Sequence, residues 1–339
     1  MALWLIRAGR FGEDEEFALK NNFAVIGYQD VPDLSHADSR EDVHKIVEEV
    51  LADASKNKIA NVTGQLWAFK GRIEANDLVV LPLKTQSFVA IGTIGGPYAY
   101  HMNRHVRRVN WQRTDVPRSA FGQDLLFSLG AFMTVCKIER NNAEERFKAI
   151  LAGGKDPNLK SSSVTMDETP DVLGEGEETQ FDLEEYALDQ IRKLIESSFK
   201  GHDLARLVSE ILKTQGYFVY QSPAGPDGGV DILAGLGPMG FDPPRLCVQV
   251  KSGGSVNDMA VRELEGVMGR TGANQGLFVS WGGFKDSVHR EIRGLFFKVR
   301  LWDSKRIIQA LLENYDRLPD DLQAELPLKR IWVPVLEEE

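Results

Sequence analysis

The stretch PDGGVDILAGLGPMGFDPPRLCVQVK, residues 226–251, places three polar residues at set positions in two apolar runs. Asp231 enters the first run, GVDIL, whereas Gln249 and Lys251 stand two apart in the second, CVQVK. Residues two apart in a β-strand point to the same face, so this amide and this ammonium share one side of a predicted strand. A hairpin through the loop GLGPMGFDPP would bring Asp231 opposite them. Core packing alone gives no reason for such a trio.

The chemistry that suits this trio is hydrolysis of a phosphodiester. A carboxylate and a strand carbonyl are hard oxygen ligands of the kind Mg²⁺ prefers, and we assign them to Asp231 and Val250. Lys251 would orient the attacking water or help to deprotonate it. Each residue also has a structural explanation: Asp231 as a cap of the preceding glycine turn, Gln249 as a hydrogen-bonded core amide and Lys251 as an ordinary strand-end lysine.

The residues around the trio predict a mixed α/β sheet with helices on both faces, over residues 182–325. Two helical patterns, FDLEEYALDQIRKLIESSF and HDLARLVSEILKTQ, precede the strands GYFVYQS, GVDILAG and RLCVQVKS. The helix DMAVRELEGVMGRTG, the strand QGLFVSW, a helix around SVHREIRGLFF, the strand KVRLWD and the helix SKRIIQALLENYD follow.

This order resembles the catalytic domain of Mrr-like restriction endonucleases, a branch of the PD-(D/E)xK nuclease superfamily in which Gln replaces the second acid. The resemblance covers residues 199–316 and rests on Gly228, Gly229, Asp231, Gln249, Lys251, Glu263, Gly266, Gly276 and Phe284, in that order. It implies a restriction-endonuclease-like fold, Mg²⁺ as cofactor, and catalytic roles for Asp231, Gln249 and Lys251.

One position departs from the Mrr-like pattern. Relatives often carry a Glu in the first catalytic helix, where this chain has Ala205. Asp203 or Glu210 could supply a replacement carboxylate, although Glu210 also fits an exposed helix position.

An acidic stretch separates this half of the chain from the first. Residues 153–181 lack hydrophobic periodicity and are rich in Ser, Gly, Pro and acids, the composition of a solvated linker. Residues 165–186 contain nine Asp/Glu and no Lys/Arg, and the chain ends in three Glu. Without those twelve acids, 38 acidic residues stand against 40 basic ones, so the net charge of −10 does not exclude a local basic face for nucleic acid. We therefore predict domains at 1–152 and 182–325, with a tail at 326–339.

The first half reads as a small β-rich barrel with few helices. Its predicted strands include ALWLIRA, FAVIGYQ, GQLWAFK, NDLVVLPLK and FVAIGTIGG. Aromatic side chains beside loops can stack a base turned out of a duplex, and arginines can hold phosphates. The candidate base-binding residues are Tyr28, Trp67, Tyr98 and Tyr100, and the candidate phosphate-binding residues are Arg104, Arg107, Arg108 and Arg113. Barrel core is the competing interpretation of the aromatics, and we favour it for Trp4 and Trp111.

The order of elements in this half, with the cues NDLVVLP and AIGTI, is similar to the PUA-like superfamily that includes EVE and YTH domains. That likeness implies a PUA-like β-barrel that senses modified bases. Together the two halves look like a modification-dependent (type IV) restriction endonuclease, an antiphage defence enzyme. Two alternatives stay open: a DNA repair or recombination nuclease that recognises structure or RNA, and a binding protein with a degenerate nuclease fold.

The remaining features of the sequence bear on partners and compartment. We expect double-stranded DNA as substrate and a homodimer, because one such site cuts one strand. No window is long and apolar enough to cross a bilayer, so we expect a soluble, cytoplasmic protein without a membrane partner. Cys136 and Cys247 lie in apolar runs and predict buried thiols rather than a disulfide or a zinc site.

Overall fold

The computed structural model describes residues 1–131, 133–153, 155–159, 183–223 and 229–333. The chain divides into two compact units, Met1–Ala187 with Trp332–Glu339, and Leu188–Ile331. Residues 160–181 of the predicted acidic linker and residues 334–339 of the predicted tail lie outside the described residues. None of the described helices has the length and apolar composition needed to cross a membrane.

The first unit contains six strands and five complete helices among its described residues. In chain order they are β1 (Leu3–Ile6), α1 (Glu15–Asn21), β2 (Phe23–Ile26), α2 (Arg40–Val50), α3 (Lys56–Trp67), β3 (Leu78–Pro82), β4 (Phe88–Tyr100), β5 (His105–Pro117), α4 (Gln123–Leu129), β6 (Val135–Lys137) and α5 (Ala143–Leu151).

The six strands form one mixed sheet in the order β2-β5-β4-β3-β1-β6. Only β1 and β3 run parallel; the other neighbours are antiparallel. Side chains alternate along β1, so Leu3 and Leu5 pack in a cluster with α4 and α5, whereas Trp4 and Ile6 pack in another with α2 and α3. The central strands are therefore buried on both faces.

The predicted mixed α/β fold class is confirmed, but among the described residues the first sheet does not close into the β-barrel that we expected. The short strands β2 and β6 are its two edges, and in the described part of the chain no ladder joins them. Helices cover both faces of the sheet, so its core lies between sheet and helices and does not require closure.

The predicted strand GQLWAFK, residues 64–70, is helical: α3 ends within it at Trp67, and a single π-helical turn, Ala68–Arg72, covers its remainder. The Ser55 hydroxyl caps α3 by accepting a hydrogen bond from the Lys58 N–H at 3.2 Å. Buried Ile59, Val62, Leu66 and Phe69 then recur at helical spacing. Their burial on one face outweighs the β-propensity of the short aromatic run.

The second unit begins within helix α6 (Leu183–Ser198) and is built on a five-stranded sheet. Its other elements are α7 (His202–Thr214), β7 (Phe218–Gln221), β8 (Ile232–Leu236), β9 (Asp242–Lys251), α8 (Asp258–Thr271), β10 (Gln275–Ser280), α9 (Asp286–Glu291), β11 (Val299–Asp303), α10 (Ser304–Asn314) and α11 (Asp320–Glu325).

The strand order of this sheet is β11-β10-β9-β8-β7, parallel from β9 to β11 and antiparallel from β7 to β9. Helices α6, α7 and α10 bury one face together with Val248 and Val250. Helices α8 and α9 bury the other face together with Cys247. This is the predicted mixed sheet with helices on both faces, and it places Gln249 and Lys251 on the α8 side.

A buried ion cluster in the first unit holds the first turn of α6. The Glu185 carboxylate accepts hydrogen bonds from Arg7 at 3.1 Å and Arg118 at 3.0 Å, and Lys84 Nζ lies 3.4 Å away. Burial alone would raise the pKa of Glu185, but the charges of Arg7, Arg118 and Lys84 outweigh it and lower that pKa to about 2. Glu185 is therefore ionised over the whole physiological range.

Glu185→Gln should destabilise the protein at neutral pH by about 3 kcal/mol, because it removes the carboxylate charge that pairs with the buried Arg7 and Arg118 guanidinium groups. A carboxylate with a lowered folded pKa stabilises the fold above its ordinary pKa and loses that effect as the pH falls through its folded value. The stability difference between wild type and variant should therefore shrink as the pH falls from about 4.5 to about 2. Denaturant unfolding at several pH values measures it.

Glu184→Gln is the matched control, because Glu184 is exposed on the same helical turn. It should change the free energy of unfolding by no more than about 0.5 kcal/mol. Equal effects of the two variants, or a Glu185 effect that does not change with pH, would contradict this account of the cluster.

Candidate active site

The carboxylate of Asp231 is hydrogen-bonded to the backbone of strand β9. Its Oδ2 accepts a hydrogen bond from the Val250 N–H at 2.7 Å, and the Asp231 N–H donates to the Val248 carbonyl at 3.1 Å. Gly229, two residues earlier, has a φ of +87°, a conformation that favours glycine, so the turn into β8 depends on it. Gly228, which also carried the sequence resemblance, lies outside the described residues.

These two hydrogen bonds also orient the backbone of Val250. Within a strand, the N–H and C=O groups of one residue point toward the same neighbouring strand. The hydrogen bonds to Asp231 show that residues 248 and 250 direct their backbone groups toward β8. The Val250 carbonyl therefore lies on the same edge of β9 as the Asp231 carboxylate, where two oxygens can bind one cation.

Gln249 has a buried acceptor that the fold does not satisfy. Its side chain is 6% exposed, and its Oε1 accepts no hydrogen bond from any described residue. Such an atom costs about 1–3 kcal/mol relative to a satisfied one. A neutral amide oxygen held in this way fits a metal ion or a metal-bound water, so the residues present are compatible with Mg²⁺.

Lys251 ends β9 with an exposed side chain on the same face as Gln249. Its carbonyl accepts a hydrogen bond from the Trp281 N–H at 2.8 Å. A Cβ at Gly282 would lie 2.3 Å from the Gly253 carbonyl oxygen, so the loops after β9 and β10 touch backbone to backbone. Any side chain at 282 would displace the loop that follows Lys251.

The carboxylates considered as replacements on the first catalytic helix are placed as follows. Ala205 is buried in the core against the sheet. Glu210 pairs with Lys213 on the same helix at 2.7 Å, and the exposed Asp203 lies 3.9 Å from Arg206. Within the described ranges, no three His, Cys, Asp or Glu side chains gather as a metal site would require. Metal ligands other than Asp231 would therefore include amide or carbonyl oxygens.

The first turn of α7 adds His202, which no sequence pattern places among the site residues. His202 Nε2 lies 3.0 Å from Gln221 Nε2, at the end of β7, and the Gly201 N–H donates to Ser252 Oγ at 3.0 Å. Ser252 directly follows Lys251, so His202 stands at the same end of the sheet as the catalytic candidates. Only the strand register reveals this, because nothing in the sequence links positions 202 and 252.

In the first unit, Tyr98 is the centre of a polar cluster. Its hydroxyl accepts a hydrogen bond from the Leu34 N–H at 3.1 Å and lies 2.8 Å from His105 Nδ1. Burial raises the pKa of Tyr98 and lowers the pKa of His105, so both are neutral at pH 7. Tyr98 therefore holds the loop around Leu34 in place and also remains a candidate ring for stacking on a base.

The other candidate aromatics contact either the His105 ring or a hydrophobic cluster. Tyr100 meets the His105 ring edge-on at 5.2 Å, and its hydroxyl donates to Asn103 at 2.7 Å. Tyr28, Trp67 and Tyr98 are half-buried against one hydrophobic cluster. Trp67 is close-packed on Gly71, where an added Cβ would approach the indole to 2.8 Å. Trp4 is core, as favoured, with its indole N–H donating to Asp77 at 3.0 Å.

The four candidate arginines differ in their availability. Arg104 donates to Asp14 at 2.7 Å, Arg113 to Asp115 at 3.3 Å, and Arg108 is exposed over the Phe23 ring at 5.5 Å. Arg107 is wrong as a phosphate ligand: it is buried and donates to the Phe69 carbonyl at 2.8 Å.

The physical reason for this correction is the π-helical turn. The i→i+5 turn leaves carbonyls that need donors, and the Arg107 guanidinium supplies them at Phe69 and at Lys70, 3.4 Å away. Burial lowers the pKa of Arg107, yet an arginine remains charged at any physiological pH.

Comparison with known proteins identifies the second unit. Residues 196–311 match the Mrr_cat family, described as restriction endonuclease, and residues 4–126 match DUF8426, a domain family of unknown function. No curated protein is significantly similar to the chain. The chain thus contains an Mrr-type restriction endonuclease domain, which confirms the predicted resemblance; the PUA-like resemblance of the first unit stays a prediction.

Three solved structures are distantly similar to the chain. The DNA modification-dependent restriction endonuclease AspBHI is 15% identical with a TM-score of 0.33, over 74% of this chain and 67% of its own. The MspJI restriction endonuclease in complex with a 27-mer oligonucleotide is 14% identical with a TM-score of 0.32, over 97% and 80%. A protein of unknown function, AF1548, is 16% identical with a TM-score of 0.26, over 40% and 77%.

Arg107→Ala should lower the free energy of unfolding by about 2–4 kcal/mol, because it removes a buried side chain and leaves the Phe69 and Lys70 carbonyls without their donor. Arg108→Ala is the matched control on the same strand and should change stability by no more than about 0.5 kcal/mol. Denaturant unfolding of both variants measures the difference. Equal stabilities would return Arg107 to the candidates for phosphate binding.

Proposed function

We propose that this protein is a modification-dependent (type IV) restriction endonuclease that hydrolyses DNA phosphodiester bonds with Mg²⁺ after its first unit recognises a modified base. The observation that carries the proposal is the hydrogen bond from the Val250 N–H to the Asp231 carboxylate. It holds this carboxylate on β9, the strand that also bears the unsatisfied Gln249 oxygen and the exposed Lys251. The family match of the second unit supports the nuclease part.

Each residue of the site has a distinct role in this proposal. Asp231, the Val250 carbonyl and the Gln249 amide oxygen would hold Mg²⁺, which polarises the phosphoryl group when bound. Lys251 orients the attacking water and favours its loss of a proton by placing a positive charge beside it. Because Gln249 is neutral, the site carries one negative charge fewer than a two-acid nuclease, and we expect its affinity for Mg²⁺ to be modest.

Recognition of the modified base is assigned to the first unit. Turning a base out of the stack costs a few kcal/mol, which stacking on an aromatic face can offset. Tyr28, Trp67, Tyr98 and Tyr100 are the aromatic candidates, whereas the exposed Arg108 suits phosphate. Since one active site cuts one strand, we include a homodimer on DNA in the proposal; the mass of the protein–DNA complex in sedimentation tests it.

Asp231→Asn and Lys251→Ala should each reduce DNA cleavage at least about a hundredfold, since each removes a group that acts on the metal or the water. Both variants should bind DNA and unfold like the wild type. Cleavage by the wild type should stop in EDTA and return with added Mg²⁺. Single-turnover cleavage of DNA carrying a known base modification measures the rates, and fluorescence anisotropy and denaturant unfolding measure the binding and the stability.

Two further variants keep this test decisive. Lys193→Ala removes an exposed lysine elsewhere in the second unit and should cleave normally. Gln249→Glu restores a second acid and should lower the Mg²⁺ concentration needed for half-maximal cleavage. Full cleavage by Asp231→Asn, or by the wild type in EDTA, would refute the proposed active site.

The Lys251→Ala protein should bind a duplex with a recognised modified base more tightly than the same unmodified sequence. Trp67→Leu, added to it, should reduce this preference about tenfold because it removes the aromatic face, whereas Trp67→Phe should retain it. Arg108→Ala should weaken binding to both duplexes alike and make it less salt-dependent. Fluorescence anisotropy with paired duplexes measures these affinities.

Absence of any preference among duplexes carrying methylated, hydroxymethylated and glucosylated bases would defeat the modified-base proposal. A preference for branched DNA or for RNA would instead favour a nuclease of repair or RNA metabolism.

A further inference from the structure

A cavity of about 190 Å³ opens in the second unit at the end of the sheet remote from Lys251. Its floor is Leu246 and Leu277, both buried, and its sides are the half-buried rings of Tyr217 and Trp302. Leu246 and Lys251 are five residues apart in β9, roughly 16 Å along the strand. The cavity is therefore separate from the candidate active site.

The rim of the cavity is polar and cationic. Lys298 and Arg300 line it together with Gln215 and Gln275, and among the described residues no Asp or Glu does so. The described rim therefore carries positive charge, although the chain as a whole has a net charge of −10. The cavity is therefore electrostatically suited to an anion.

Arg300 is preorganised at this rim. Its Nη1 donates to the Phe296 carbonyl and, at 3.2 Å, to the Val299 carbonyl, and the guanidinium lies over the Phe296 ring at 4.2 Å. These contacts hold the group in place and leave further N–H donors for a ligand. Lys298 is exposed, and no ion pair engages it within the part of the chain that the structure describes.

An aromatic side chain at the mouth, Phe297, is exposed and meets the Phe296 ring edge-on at 5.2 Å. Phe297 lines the cavity and is 86% exposed, although burial of a phenyl ring normally contributes to stability. With Tyr217 and Trp302 it provides flat faces around an apolar floor. Aromatic rings next to amides and cations match the three parts of a nucleotide: base plane, base edge and phosphate.

We propose that this cavity binds a nucleoside monophosphate. The base stacks on the aromatic walls over Leu246 and Leu277, the Gln215 and Gln275 amides hydrogen-bond its edge, and Lys298 and Arg300 hold the phosphate. The site is distinct from DNA cleavage and does not require that the second unit be active.

Calorimetric titration of the full-length protein tests this, with dAMP, dGMP, dCMP and TMP as probes. The Asp231→Asn variant in EDTA is used, so that the candidate active site cannot retain a phosphate through a metal. At least one nucleotide should bind, and its nucleoside and inorganic phosphate should each bind at least about tenfold more weakly. Phosphate that binds as tightly as the nucleotide would overturn the proposal, because the aromatic walls would then contribute nothing.

Two variants locate the binding. Lys298→Ala and Phe297→Ala each remove an exposed side chain, so the fold should be kept, and each should weaken nucleotide binding about tenfold. Lys193→Ala and Met259→Ala, matched exposed residues elsewhere in this unit, should leave binding unchanged. Failure of all four nucleotides to bind at millimolar concentration, or equal binding by all variants, would overturn the assignment.

Discussion

The hydrogen bond from the Val250 N–H to the Asp231 carboxylate joins residues 19 positions apart, and the rest of the candidate active site depends on it. It holds the carboxylate against β9 where the antiparallel pairing of β8 with β9 begins, at Ile232 opposite Val248. A slip of one residue in that pairing would turn every side chain of the slipped strand to the opposite face. The register of β8 on β9 therefore determines whether the Asp231 carboxylate, the Val250 carbonyl and Lys251 lie at one site or on different faces of the sheet.

Glu185 and Gln249 are both buried polar residues, but their burial affects stability in opposite ways. Glu185 is buried with three cations, so its charge is compensated within the fold and the contact stabilises it. Gln249 is buried with an oxygen that no described residue satisfies, so its position costs stability. A buried polar atom that the fold leaves without a hydrogen bond is typical of a group that serves a ligand. The unsatisfied Gln249 oxygen therefore supports a function, whereas the fully paired Glu185 does not.

Sequence periodicity predicted the second unit well because its strands are apolar runs whose polar exceptions stand out. It predicted the segment around Trp67 wrongly, since a short aromatic run fits a strand until the helical spacing from Ile59 to Phe69 is taken together. Arg107 and Arg108 show a different limit. They are neighbours with the same charge, yet Arg107 donates to a carbonyl of the π-helical turn and Arg108 is exposed. Tertiary contacts made the difference, and no local pattern encodes them.

Counting basic residues therefore cannot locate an anion-binding surface in this chain. Arg7, Arg107 and Arg118 are buried and committed to carbonyls or to a carboxylate. A cation can bind a ligand only if its donors are accessible and its charge is not already neutralised, which holds for Arg108 in the first unit and Lys298 in the second. The two differ in their surroundings. Arg108 is exposed on β5, as a contact to a DNA backbone requires, whereas Lys298 borders a small aromatic cavity that can accept the base of a single nucleotide but not a duplex.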